Sequence, residues 1–280
     1  MLAYDVHQHL WPEALIAALV ARRERPRLRG STLELPSGDW EIDFAAHELE
    51  ARLALLDRDE IDVAVISCAQ TLELDEELID AYHEGILELV AAAGGRLQAL
   101  ASGTVRDGFA GASVAAGELG DLAELTPLLS ELERRGSVLF VHPGPAPSPY
   151  GAPAWWPAVV GYSAQMQAAW AAWIAQGTAA WPDLNVVFAI LAGGAPFQLE
   201  RLASRGVDSR GVLEANIYLD TASYGDRALE LSLATYGVGR LVYGSDTPVI
   251  DSESTLRSVR GFGQAVADAV SRENPGRLFG

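Results

Sequence analysis

The first residues able to do chemistry stand almost at the start of the chain, in Tyr4-Asp5-Val6-His7-Gln8-His9-Leu10. Residues two apart in an extended strand share a face, so His7 and His9 project together with Asp5 while Val6 and Gln8 turn away. Each neutral imidazole offers a lone pair, and two on one face can grip a single divalent ion. A lone His-x-His also occurs among ordinary surface or core histidines. Its meaning depends on what else converges on it.

The elements that would position such a site are legible in the apolar pattern. Short, nearly continuous apolar runs read as buried parallel strands: Ile61–Ser67, Leu97–Ser102, Gly111–Ala115, Val138–His142, Asn185–Leu191, Asn216–Thr221 and Leu241–Asp246, after a first strand from Ala3. Between them lie runs with helical spacing, at Phe44–Asp57, Glu76–Ala93, Leu122–Arg135, Ser163–Trp181, Phe197–Arg205, Asp226–Tyr236 and Ser254–Val270. Eight β/α units in 280 residues predict a (β/α)₈ TIM barrel, a single domain over residues 1–280. A helical run followed by an Arg/Pro/Gly-rich stretch to about Trp40 reads as an insertion after strand 1. A doubly wound open sheet is the structural alternative, but no Gly-x-Gly-x-x-Gly follows any strand.

Functional groups of such a barrel gather at the C-terminal ends of its strands. His7 and His9 fall there on strand 1, His142 on strand 5 and Asp246 on strand 8, which adjoins strand 1 once the barrel closes. Singly, His142 before Pro143-Gly144 reads equally as a turn residue, and Asp246 before Thr247-Pro248 as a cap. Together they form an N₃O set that suits Zn²⁺, with Mn²⁺ or Fe²⁺ as alternatives. His47 and His83 sit in helical patterns among polar neighbours and read as surface residues.

Composition narrows the chemistry. The net charge of −18 argues against a nucleic-acid partner or an anionic membrane surface. All 20 basic residues are arginine, so Schiff-base chemistry and a carbamylated lysine bridging two metals are closed to this chain. One cysteine, Cys68, excludes an intrachain disulfide and fits a reducing, cytoplasmic setting, as does the lack of a visible signal peptide. The Ala/Trp-rich stretch Ala164–Trp181 carries three glutamines and reads as a buried amphipathic helix.

Asp5-Val6-His7-Gln8-His9, Val141-His142-Pro143-Gly144 and Tyr243-Gly244-Ser245-Asp246-Thr247-Pro248 resemble signature blocks of the amidohydrolase-related family, the branch that includes aminocarboxymuconate-semialdehyde decarboxylase and resorcylate decarboxylases. The segments Leu56-Asp57, Ile61–Val65 and Asn274–Gly280 also match its habits, so the resemblance spans essentially the whole chain. It implies one divalent metal held by His7, His9, His142 and Asp246. One departure stands out. Where the family carries a histidine before a Gly-Gly pair at the end of strand 6, this chain reads Leu191-Ala192-Gly193-Gly194.

The leading expectation is a hydrolase that attacks a small ester, lactone or amide with metal-activated water, Asp246 serving as ligand and base. The alternative is non-oxidative decarboxylation of an aromatic or conjugated acid; its carboxylate would need an arginine, from the Arg22–Arg29 insertion or a second subunit. A catalytically impaired barrel that binds a small ligand is the third reading. Expected substrate contacts are Trp11 at the floor, Tyr150 and Trp156 in a lid together with Trp155 and Tyr162, and Asp220 at the end of strand 7. Trp170, Trp173 and Trp181 are expected in the core or in a homodimer interface.

Overall fold

The computed structural model describes residues 1–280. Eight parallel strands are hydrogen-bonded in chain order: β1 (Tyr4–Gln8), β2 (Val63–Ile66), β3 (Leu97–Ser102), β4 (Gly111–Ala115), β5 (Val138–His142), β6 (Asn185–Phe188), β7 (Ile217–Asp220) and β8 (Leu241–Val242). The last strand is two residues long, so the extended chain beyond it completes the closure. Val6 N donates to Tyr243 O (2.9 Å), Asp246 N to His7 O (2.8 Å) and His9 N to Thr247 O (2.7 Å). The result is a (β/α)₈ barrel, as the strand count predicts.

Local sequence explains the layers. β2 reads Val-Ala-Val-Ile with every residue buried, because one face looks into the barrel and the other lies under helices. β5 is Val-Leu-Phe-Val-His, four core residues delivering His142 to the C-terminal mouth. Asp75 starts the helix Glu76–Ala92 by accepting from Leu78 N, which satisfies one of its free N–H groups. One continuous cluster of buried side chains runs from Ala3 to Phe279. Trp170 and Trp173 are buried in it, and Trp173 stacks on Trp181 with ring centroids 6.0 Å apart.

The insertion after β1 is more ordered than its composition suggests. Helix Glu13–Ala21 leads into an antiparallel sheet of Arg27–Arg29, Thr32–Leu35 and Gly38–Glu41. Leu28, Leu33 and Leu35 turn one face of it inward. Its arginines hold the insertion together: Arg27 to Glu34 (2.6 Å), Arg25 to Asp39 (3.0 Å) and Arg22 to Asp75 (2.7 Å). No helix is long and apolar enough to cross a membrane.

Candidate metal centre

β1 is where regular strand geometry breaks. Tyr4 and Asp5 pair with Val63 and Ala64, but Gln8 pairs with Ile66, so the register slips between Asp5 and Gln8. Such a bulge re-aims side chains beside active sites, and His7 lies inside it. His7, His9 and His142 then present their rings edge to face, all three centroid pairs 5.1 Å apart. One ligand atom from each of His7, His9, His142 and Asp246 lies within 4.8 Å of the other three. Asp246 Oδ1 is 3.2 Å from His9 Nε2 and 3.5 Å from His7 Nε2.

The opposite nitrogen of every ring is already engaged. His7 Nδ1 donates to Asp220 Oδ2 (2.6 Å), His9 Nδ1 to Ser67 O (2.9 Å) and His142 Nδ1 to Pro143 O (2.8 Å). Carboxylate and carbonyl oxygens only accept, so each Nδ1 carries a proton and each Nε2 is the nitrogen left to face a cation at the centre. Three imidazole nitrogens and one carboxylate thus fit a divalent ion. The imidazoles are buried, and Asp246 is the open member, its side chain 15 % exposed. Asp246 sits at φ +65°, a left-handed conformation that aspartate tolerates better than most residues.

Electrostatics follow from crowding three rings and a carboxylate together. Burial pulls the His7 imidazole down, but Asp220 and Asp246 outweigh it and lift its pKa to about 9 in the metal-free protein. Burial and the neighbouring His9 and His7 rings hold His142 far below the usual imidazole range. Burial works to raise the Asp246 carboxyl, yet the His7, His9 and His142 rings keep it below the usual carboxylate range. The site therefore favours an ionised carboxylate facing neutral ring nitrogens once a cation replaces the proton on His7.

The other expected site residues fall unevenly. Trp11 is buried at the end of β1, stacked on His47 at 4.9 Å. Trp156 is partly buried against Trp155, with centroids 5.9 Å apart. Tyr150 is fully exposed and turned to solvent. The expected place of Asp220 is corrected. It has no exposed surface, and both its oxygens are committed within the protein, so it lies behind His7 and not against a substrate. Asp5, on the His face of β1, also stays out of the metal set and accepts from Gln8, His7 N and Ser245 N. Cys68 is buried, its thiol pushed up to about 12 by burial. The insertion arginines Arg22, Arg25 and Arg27 are engaged by carboxylates of their own region and of the next helix.

Both remaining histidines are buried, contrary to the surface reading. His47 Nδ1 accepts from Trp11 N (3.1 Å), and His83 Nε2 accepts from Ser102 N (2.8 Å). Arg52, hidden in an apolar helical pattern, is also buried; it donates to Gln8 Oε1 and His9 O, both at 2.9 Å, and braces β1 from behind. No local spacing distinguishes such internal acceptors and braces from solvated side chains.

At the end of β6 the chain makes a left-handed turn. Ile190, Leu191 and Ala192 have φ of 47°, 50° and 50°, followed by Gly193 at 65° and Gly194 at 103°. Leu191 is buried there.

A model of the amidohydrolase family matches residues 4–280. The chain belongs to that family. Among solved structures it is similar to IDCase from Metarhizium anisopliae in apo form, with 21% identity, a TM-score of 0.83 and coverage of 99% of this chain and 97% of that one. It is similar to 5-carboxyvanillate decarboxylase LigW from Sphingomonas paucimobilis at 18% identity and TM-score 0.77, covering 99% and 98%. It is also similar to dihydroxybenzoic acid decarboxylase from Polaromonas sp. JS666, solved with manganese and the inhibitor 2-nitroresorcinol, at 14% identity and TM-score 0.68, covering 99% and 96%. At these identities the likeness establishes the shared barrel. No curated protein matches the chain in sequence. The hydrolase expectation is corrected by these comparisons, because the structures described by their reaction are decarboxylases of aromatic acids.

Proposed function

We propose that this protein is a metal-dependent, non-oxidative decarboxylase of a small aromatic or conjugated carboxylic acid. The observation that carries the reading is the convergence of three Nε2 atoms and one partly open carboxylate at the C-terminal mouth of the barrel. The structural relatives named for aromatic-acid decarboxylation support the reaction class.

His7, His9, His142 and Asp246 would hold the ion. Zn²⁺ suits this N₃O set best, with Mn²⁺, present in the related dihydroxybenzoic acid decarboxylase, as the alternative. When bound, the cation supplies positive charge that orients an anionic substrate and stabilises charge left on it. The chain's own residues do the rest. In decarboxylation the bond from the ring carbon to the carboxyl group breaks, CO₂ departs, and the electron pair stays on that carbon until a proton arrives. Asp246, ionised at rest, is the carboxylate placed to take up a proton from solvent and pass it to that carbon, since it is the only partly exposed member of the set. Leu191 offers no proton, and the scheme draws none from that position because Asp246 carries the transfer. Trp11, which follows the His7–His9 strand and is buried against His47, would form the floor of the site.

A cytoplasmic setting fits the single buried Cys68. The exposed side chains of Tyr150, Trp155 and Phe197 support a second copy of the chain as partner, in a homodimer.

The test is CO₂ release, together with loss of substrate ultraviolet absorbance, from Zn- or Mn-loaded protein given 2,6-dihydroxybenzoate, other hydroxybenzoates and conjugated dienoic acids. Turnover of at least one acid, abolished in Asp246→Asn, is expected. Metal-loaded protein that decarboxylates none of them while hydrolysing an ester or lactone would overturn the reading.

A further inference from the structure

We propose that Asp220 is a positioning residue that selects the metal-binding tautomer of His7 and, through its other oxygen, pins the left-handed turn that follows β6. The inference rests on the metal reading above.

The two oxygens of this fully buried carboxylate divide their work. Oδ2 accepts from His7 Nδ1 at 2.6 Å, while Oδ1 accepts from Ile190 N at 2.7 Å and from Ala222 N at 3.1 Å. His9 and His142 lean on backbone carbonyls, so His7 alone is oriented by a side chain. A carboxylate can only accept, so Nδ1 keeps its proton and Nε2, 3.3 Å from His9 Nε2 and facing Asp246, is the ring nitrogen that a cation would take.

Oδ1 acts on a strained segment. A β-branched residue such as Ile190 is a rare occupant of the left-handed region, and two more non-glycine residues follow it there. Such strain persists only where the surroundings over-determine it. Two restraints bracket the turn: Asp220 on Ile190 N, and Gln167 Nε2 on Gly193 O at 2.6 Å. The turn that forms the β6 side of the mouth and the first ligand of the metal set are therefore held by one carboxylate.

Gly244 is built for this contact. A Cβ there would stand 2.8 Å from His7 Cβ and 3.0 Å from Asp220 Oδ2, so any side chain at 244 wedges the pair apart.

The experiment compares metal affinity, by titrating apoprotein with Zn²⁺ and with Co²⁺ as an absorbing probe, in wild type, Asp220→Asn and Gly244→Ala. In Asp220→Asn the amide oxygen must take the Ile190 and Ala222 N–H groups, because only it can accept. The NH₂ then faces His7 Nδ1, which becomes the acceptor, and the ring proton moves to Nε2 where it blocks the ion. A folded Asp220→Asn with affinity weakened about 10- to 100-fold and an altered Co²⁺ spectrum is expected; Gly244→Ala should weaken binding in the same sense. A merely structural Asp220 would lower the unfolding midpoint and leave both metal readouts unchanged, which overturns the proposal. Should Asp220→Asn fail to fold, wild-type affinity in Gly244→Ala overturns it instead. Wild-type protein that binds no metal overturns this inference and the metal reading together, whereas unchanged affinity in a folded variant overturns this inference alone.

Discussion

Replacing Gly193 by alanine tests the turn that closes the β6 side of the mouth. A methyl group there would stand 2.3 Å from Ser163 O and 3.0 Å from Ser163 C and Cα. Both partners are tethered, so any retreat costs energy. Gln165 ties the helix Tyr162–Ala172 to Pro145 O (2.7 Å) and to Gly144 N (2.9 Å), while Gln167 and Asp220 hold the turn. Alanine at φ +65° costs about 1–2 kcal/mol from backbone strain alone. Forcing a methyl group against backbone atoms in a packed site costs a further ~1–3 kcal/mol. A loss of roughly 2–5 kcal/mol is therefore expected, against a total stability of about 5–15 kcal/mol for a typical domain. Urea unfolding followed by tryptophan fluorescence should show a lower midpoint at unchanged slope, because the surface exposed on unfolding stays the same. Pushing the helix from the turn should also raise KM more than it lowers kcat, since Leu191 and Tyr162 flank the separated contact. A loss below about 1 kcal/mol would mean that the helix does not approach the turn as described.

Metal should stabilise the fold through its four ligands. At a free concentration a thousandfold above Kd the gain is about 4 kcal/mol, which for a chain of 280 residues raises Tm by roughly 7 °C in calorimetry. His142→Ala and Asp246→Ala should abolish the rise, and an equal rise in either would refute the ligand set. Burial and the Arg106 guanidinium hold the His83 imidazole down to about 4 from 6.5, against the weaker pull of Asp80. The unfolded chain therefore takes up that proton first, so the stability is complete above pH 6.5 and is lost as pH falls toward 4, by up to ~3 kcal/mol. His83→Gln should flatten the pH dependence of unfolding by that amount in this window, and an unchanged slope would refute the assignment. Because Arg22, Arg25 and Arg27 are engaged by carboxylates, Arg29 donates to backbone carbonyls and Arg23 is exposed, an acid with one carboxylate should exceed a dicarboxylate such as 5-carboxyvanillate by roughly 100-fold in kcat/KM. Comparable kinetics would show that a cation reaches the second carboxylate.

The sequence by itself determined the barrel and the places of its ligands. Apolar runs such as Val63–Ile66 and Val138–Val141 must be buried on both faces, which only a parallel sheet under helices provides. Strand ends then mark the mouth, and His7, His9, His142 and Asp246 all fall there. The departure at Leu191 was equally visible. The antiparallel sheet of the insertion was not, because arginines, prolines and glycines obscure the alternation of Leu28, Leu33 and Leu35.

Only the tertiary structure decided what stands behind the ligands. Asp220 ends a strand and so reads as a substrate contact, but that position does not say which way a carboxylate faces. Its partner His7 is 213 residues away and is reached only when β7, β8 and β1 come together on closure. The burial of His47 and His83 has the same origin, since each accepts from a backbone N–H of a distant segment. Local periodicity selects the face and the end of an element on which a side chain lies. Which atom meets its second polar group is set by contacts between remote segments, and for His7 that contact decides the tautomer on which metal binding depends.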